Sequence, residues 1–138
     1  MGYPPEECDT MYQFAFYLGL AFQVQDDVLD FTSTEEALGK PTLGDIRGGC
    51  ITAPVIYALK NDPQNRDELT RLIEGRFTNT GDLDRAVQLV KDAKGIESAA
   101  ALSTRMAQMA LVQLAKLPAG ECRDSLASLA RWSHTRAM

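Results

Sequence analysis

Apolar residues crowd positions 6–31. Met11, Tyr12, Phe14, Phe16, Tyr17, Leu18, Leu20, Phe22, Val24, Val28, Leu29 and Phe31 fall on nearly every side of a helical wheel. A helix that is hydrophobic all round belongs in an interior, so the pattern predicts a helix over 6–31 at the centre of a bundle. The period then stops. Residues 32–50 are rich in Thr, Ser and Gly and contain Gly39-Lys40-Pro41, which predicts a long connection. Thr52 can cap the next helix, with Pro54 tolerated in its first turn; this helix should run to about Leu59 and end at Asn61-Asp62-Pro63.

A short helix is expected near 65–74, and a better-marked one from Asp82 to Lys94. In the latter, Leu83, Ala86, Val87 and Val90 recur at helical spacing. Asp82 and Asp84 sit at the positive end of the dipole, Lys91 and Lys94 at the negative end, and Gly95 suits the C-terminal cap. Ile96, Ala99, Ala100, Met106, Ala110, Leu114 and Leu117 mark a long Ala-rich helix. Cys122, Leu126, Leu129 and Ala130 mark a last one beyond Pro118-Ala119-Gly120. No segment alternates as a strand would. The expected architecture is all-α, in a single domain without internal repeat or dividing linker.

Composition narrows the class. With 138 residues, 45% apolar and 24% charged, the chain is ordinary for a folded protein and unlike disordered or collagenous sequences. The longest apolar run, Phe14 to Phe22, is too short to span a bilayer, so no transmembrane segment is expected. The first residues carry no targeting signature, which makes the cytoplasm the default location. Cys8, Cys50 and Cys122 are odd in number and far apart, as for reduced thiols rather than disulfides or a Cys-x-x-Cys site. One histidine, His134, excludes zinc sites built on His pairs. Without a G-x-S-x-G elbow, a Ser-His-Asp triad has no support.

Charge is distributed unevenly. Residues 1–39 hold eight acids and no Lys or Arg, whereas from Lys40 onward fourteen basic residues outnumber eleven acids. Nucleic acid and anionic membrane both require clustered Lys or Arg, so the acidic third should have a cation as its partner.

The chemistry concentrates in Gly19-Leu-Ala-Phe-Gln-Val-Gln-Asp-Asp-Val-Leu-Asp30. Asp26 and Asp30, four residues apart, share one helix face with Gln23 one turn earlier, and Asp27 lies beside them. Spacing alone is also compatible with a solvated acidic face. The flanking Phe22, Val24, Val28, Leu29 and Phe31, and the lack of nearby basic residues, favour carboxylates facing an interior cavity with a divalent cation as compensation. Oxygen ligands without His or Cys select a hard ion. Mg²⁺ fits, since it uses one or two carboxylates, several waters and substrate phosphate oxygens. After the helix, Lys40 behind Gly39, then Asp45, Arg47, Gly48 and Gly49, supply residue types suited to an anion; Gly39-Lys40 is not a Walker A, because Pro41 follows the Lys.

Taken together, Gly19-x-x-Phe22-Gln23-x-x-Asp26-Asp27-x-x-Asp30, Gly39-Lys40, Asp45 and Thr52-x-Pro54 resemble the second aspartate-rich motif of the trans-isoprenyl diphosphate synthases. Ala53-Pro-Val-Ile-Tyr-Ala-Leu59 and Gly81-Asp-Leu-Asp-Arg-Ala86 extend the resemblance to the long-chain solanesyl and decaprenyl branch. It implies an all-α bundle of the isoprenoid synthase type, here only the C-terminal half. It also implies a Mg²⁺-dependent condensation of isopentenyl diphosphate with an allylic diphosphate, and homo- or hetero-oligomers. By the same resemblance, Asp26 would be the direct metal ligand, with Asp27 and Asp30 holding metal-bound waters. Asp26, Asp27 and Lys40 would be the catalytic groups. Phe22, Gln23 and Lys40 would contact substrate, and Asp45 would support the metal-water network. Two departures stand out. Cys50 replaces a lysine that many members carry, and no first aspartate-rich motif occurs in the chain, so it is expected to be inactive alone. The alternative expectation is a non-catalytic helical subunit that associates with a full-length synthase.

Overall fold

Helix α1 (Pro5–Thr32) covers the predicted apolar segment. Proline suits its first position, and Glu6 and Glu7 lie where the dipole favours anions. The computed structural model describes residues 2–39 and 41–136, and every regular element among them is helical. After α1 come α2 (Glu35–Leu38), α3 (Gly44–Arg47), α4 (Ala53–Asn61), α5 (Arg66–Glu74), α6 (Asp82–Asp92), α7 (Gly95–Leu114) and α8 (Glu121–Ser133). No helix is long and apolar enough to cross a membrane among the described residues. The chain forms two compact units, whose boundaries cut α1 after Gln25 and α7 after Ala100.

In the first unit, α1 up to Gln25 packs with the later part of α7 and with α8. Phe14, Ala110, Leu114 and Ala130 form its buried centre, with Tyr17, Leu18, Leu111 and Leu126 against them. Ser103 of α7 is fully buried, and its hydroxyl donates to the Ala21 carbonyl of α1 at 2.9 Å. The expectation that α1 is buried on all sides is not met. Phe14 is buried, but Tyr12 is 66% and Phe16 50% exposed, and Leu20 lies at the surface. Only α7 and α8 cover α1 within this unit, and among the described residues the Tyr12-Phe16-Leu20 stripe, repeating every fourth residue, stays exposed.

The second unit builds its core from Ile46, Val55, Ala58, Leu69, Ile73, Ala86, Leu89 and Val90 of α3 to α6. Helices α5 and α6 are also joined at the surface by a two-pronged ion pair, Arg85 Nε to Glu68 Oε1 at 2.7 Å and Nη2 to Oε2 at 2.9 Å. Three local expectations change here. The 32–50 connection is not irregular throughout, because it carries α2 and α3. Thr52 is the N-cap residue of α4 but its side chain does not cap, and its hydroxyl is buried without a partner. Gly95 is not a C-terminal cap: it opens α7, fully in helix, pressed against the Pro54 carbonyl and Ala58 of α4. Lys94 itself takes the left-handed conformation at φ +55°.

Candidate functional site

The three aspartates at the end of α1 do not share one environment. Asp26 is exposed, whereas Asp27 and Asp30 are buried, with Asp30 at 4% exposure. Burial thus separates Asp26 from the other two. Sequence spacing put Asp26 and Asp30 on one face, but the following connection folds back over the last turn of α1 and covers only Asp30.

Asp30 makes that fold-back possible. Its Oδ1 accepts from the Gly44 amide at 3.1 Å and its Oδ2 from the Asp45 amide at 3.2 Å, the first two residues of α3. Its own carbonyl accepts from the Leu43 amide at 3.0 Å, with Leu43 in the left-handed region at φ +60°. Asp27 does the same for α4. Its Oδ2 accepts from the Ala53 amide at 3.2 Å, the first amide of α4. Pro54, next along, has no N–H to satisfy. The last turn of α1 holds acids and no basic residue, an arrangement the helix dipole opposes. Donors at the starts of α3 and α4 offset it, since hydrogen bonds to an ionised acceptor are the stronger kind.

The connection is shaped on both sides of position 40. The Thr34 hydroxyl accepts from the Ala37 amide at 3.2 Å at the start of α2, and Gly39 closes α2 at φ +66°, a conformation that favours glycine. Lys40, the proposed cation of the site, lies outside the described residues. Asp45 is half-buried in α3.

Phe22 and Gln23 belong to the first unit, and both side chains are exposed. Phe22 is held by Arg136, which lies outside every motif of the sequence analysis. Arg136 Nη2 donates to the Phe22 carbonyl at 2.9 Å, and its guanidinium lies 3.7 Å from the centre of the Phe22 ring. Trp132 sits beside them, 5.8 Å from the guanidinium and 6.4 Å from the Phe22 ring. The sole sequence signal was the spacing of Arg136 four residues after the chain's one tryptophan.

Among the described residues, no three His, Cys, Asp or Glu groups gather closely enough to hold a metal by themselves. The aspartates at the end of α1 offer oxygen donors only, one exposed carboxylate beside a buried one, the donor type that a hard divalent ion takes. A separate groove of about 590 Å³ in the first unit, lined by Cys8, Met11, Leu114, Leu117, Cys122 and Leu126 among others, includes none of the candidate residues. The three cysteines are exposed and unpaired with one another.

Comparison with known proteins places the chain in context. Residues 1–90 match the polyprenyl synthetase family. The chain is 42% identical over 128 residues to solanesyl diphosphate synthase 2, chloroplastic, of Arabidopsis thaliana, covering 93% of this chain and 30% of that protein. It is 43% identical over 123 residues to heptaprenyl diphosphate synthase component 2 of Bacillus subtilis, covering 89% of this chain and 34% of that one. Among solved structures, the polyprenyl synthase of Caulobacter crescentus complexed with calcium and isoprenyl diphosphate superposes with a TM-score of 0.87 at 30% identity, covering 99% of this chain and 42% of that one. The apo form of the Arabidopsis medium/long-chain length prenyl pyrophosphate synthase gives 0.85 at 32%, covering 99% and 46%. The chain thus spans about a third of the length of the curated relatives it matches.

Proposed function

Because the chain belongs to the polyprenyl synthetase family, we propose that it is the C-terminal part of a Mg²⁺-dependent prenyltransferase. The reaction would condense isopentenyl diphosphate with an allylic diphosphate to give a long-chain polyprenyl diphosphate. The observation that carries this reading is the pair of links from Asp30 to Gly44 and Asp45 and from Asp27 to Ala53. They fasten the connection bearing Gly39, Lys40 and Asp45 to the acidic end of α1.

In this reading Asp26, whose side chain is exposed, is the direct metal ligand. Asp27 and Asp30 would hold the ion's hydration waters in addition to their backbone donors, since an ionised carboxylate offers about four acceptor sites. When bound, Mg²⁺ supplies positive charge against the diphosphate oxygens as that group departs. Lys40 adds a second positive charge there, Gln23 donates its amide to the diphosphate, Phe22 lines the substrate side, and Asp45 orders water. These groups act by fixed electrostatic placement at a leaving group.

The test uses the full 138-residue chain with Mg²⁺ and inorganic pyrophosphate. A ligand at a hundred times its Kd stabilises the folded state by about 2.7 kcal/mol, a rise of several degrees in Tm for a chain of this size. EDTA and Asp26→Ala should each abolish the rise. If the rise survives Asp26→Ala, the assignment of Asp26 fails.

A second reading has its own support. The Bacillus relative is named as one component of a synthase, and Tyr12, Phe16 and Leu20 stand exposed along α1. A non-catalytic helical subunit, or a half that assembles with another synthase polypeptide, would cover that stripe. Monomeric behaviour by light scattering, and failure to associate with a co-expressed full-length synthase, would argue against it.

A further inference from the structure

We propose that Arg136 is a positioning residue for Gln23, acting through the peptide that joins Phe22 to Gln23 and through the Phe22 ring. The inference rests on the diphosphate-binding role given to Gln23 above. Two consecutive carbonyls of α1, those of Ala21 and Phe22, each receive a side-chain donor from distant chain: Ser103 Oγ at 2.9 Å and Arg136 Nη2 at 2.9 Å. The second carbonyl belongs to the same peptide plane as the Gln23 amide. Arg136 therefore bonds to the group from which Gln23 projects.

Neither Phe22 nor Gln23 is held by burial, as Phe22 is 41% exposed and Gln23 is exposed too. The guanidinium over the Phe22 ring holds the side chain before Gln23 by a cation–π contact, while the hydrogen bond ties the same guanidinium to the Phe22 carbonyl of α1. One planar group does both, which a lysine ammonium does less well. The tail is shaped to deliver it. After α8, the amides of Thr135 and Arg136 both donate to the Trp132 carbonyl, at 3.1 and 2.9 Å, turning the chain back so that Arg136 reaches α1. A binding group displaced by a small distance loses much of its effect on a ligand, so loosening this anchor should weaken diphosphate binding without removing any ligand contact.

The experiment is a double-mutant cycle on the full chain, titrated with pyrophosphate in the presence of Mg²⁺ and followed by Trp132 fluorescence. The single tryptophan lies within this cluster and reports on it directly. Arg136→Ala should bind pyrophosphate about tenfold more weakly, the loss expected for one hydrogen bond of a charged group. Arg136→Lys should recover part of that affinity. Gln23→Ala should weaken binding as well, and Arg136→Ala added to Gln23→Ala should cost little more, because the arginine acts through the glutamine. The change in Trp132 emission on adding Mg²⁺ and pyrophosphate should be present in the wild type and lost in Arg136→Ala. A wild type that binds no pyrophosphate overturns both this inference and the diphosphate reading. A wild type that binds, with Arg136→Ala binding equally well or adding in full to Gln23→Ala, overturns this inference alone.

Discussion

Replacing Asp30 by Asn separates a carboxylate that builds the site from one that binds the ion. Asn is the same size but has one acceptor oxygen and no charge, and its NH₂ would point at a backbone donor. Asp30 now accepts from Gly44 and Asp45 at 3.1 and 3.2 Å. A hydrogen bond to a charged group contributes roughly 1.5–3 kcal/mol. Both distances exceed the roughly 2.7–2.9 Å of the strongest charge-assisted bonds, so each bond belongs at the low end, about 1.5 kcal/mol. The Asn variant loses one bond outright and weakens the other to an ordinary one. It gains a few tenths of a kcal/mol from relieved repulsion with Asp26 four residues away. The net expectation is a loss of about 2 kcal/mol, roughly a thirtyfold fall in the folded-to-unfolded ratio.

Urea unfolding of the full chain measures this, with Asp26→Asn as the control. Asp26 is exposed, and its replacement should stay within about 0.5 kcal/mol of the parent. Hydrogen exchange locates the loss. The amides of Leu43, Gly44 and Asp45, which donate to Asp30, should lose protection in Asp30→Asn and keep it in Asp26→Asn. Equal midpoints for the two variants, together with unchanged protection at Gly44 and Asp45, would refute the assignment of Asp30 as the anchor of the connection.

Two more expectations follow from the second unit. Gly95→Ala should destabilise the chain by about 2 kcal/mol or more, because an added Cβ would overlap the Pro54 carbonyl and lie 3.2 Å from the Ala58 methyl; thermal unfolding reads this, and an unchanged Tm counts against the close packing of α7 on α4. The hydrogen bond from Arg85 holds the Glu68 carboxyl below the usual glutamate range, so the pair's contribution is present above the ordinary glutamate pKa and is lost as pH falls through the lowered native value. Glu68→Gln should therefore differ from the parent in urea midpoint at neutral pH and converge with it in acid, and a difference independent of pH would exclude the ion pair as its source.

The parts of the fold legible in the sequence were those whose signals are local. Helix α6 has its apolar spacing, Asp82 and Asp84 at one end and Lys91 at the other, all within eleven residues. The four-residue helices α2 and α3 carry no such signal. A turn that short cannot sustain itself, so its existence depends on bonds made elsewhere, from Asp30 to α3 and from the Thr34 hydroxyl to α2. Gly95 departs from its expected role for a related reason. A glycine near a helix end has the same appearance whether it provides a positive φ or simply lacks a Cβ, and only the proximity of Pro54 and Ala58 distinguishes the two.

The site was legible as a set of residues and not as a division of labour. Helical spacing groups Asp26 with Asp30, yet burial groups Asp30 with Asp27, because what covers an acid is decided by the chain that follows it. Two buried carboxylates without partners would cost several kcal/mol each. Here they face the unsatisfied amides at the starts of α3 and α4, so each side meets a need of the other. The acidity of this helix end is thus a folding device for the 33–52 connection before any ion arrives. An ion bound by Asp26 would then meet a connection already fixed by Asp27 and Asp30, and loss of either buried acid should impair binding through the connection even where Asp26 is intact.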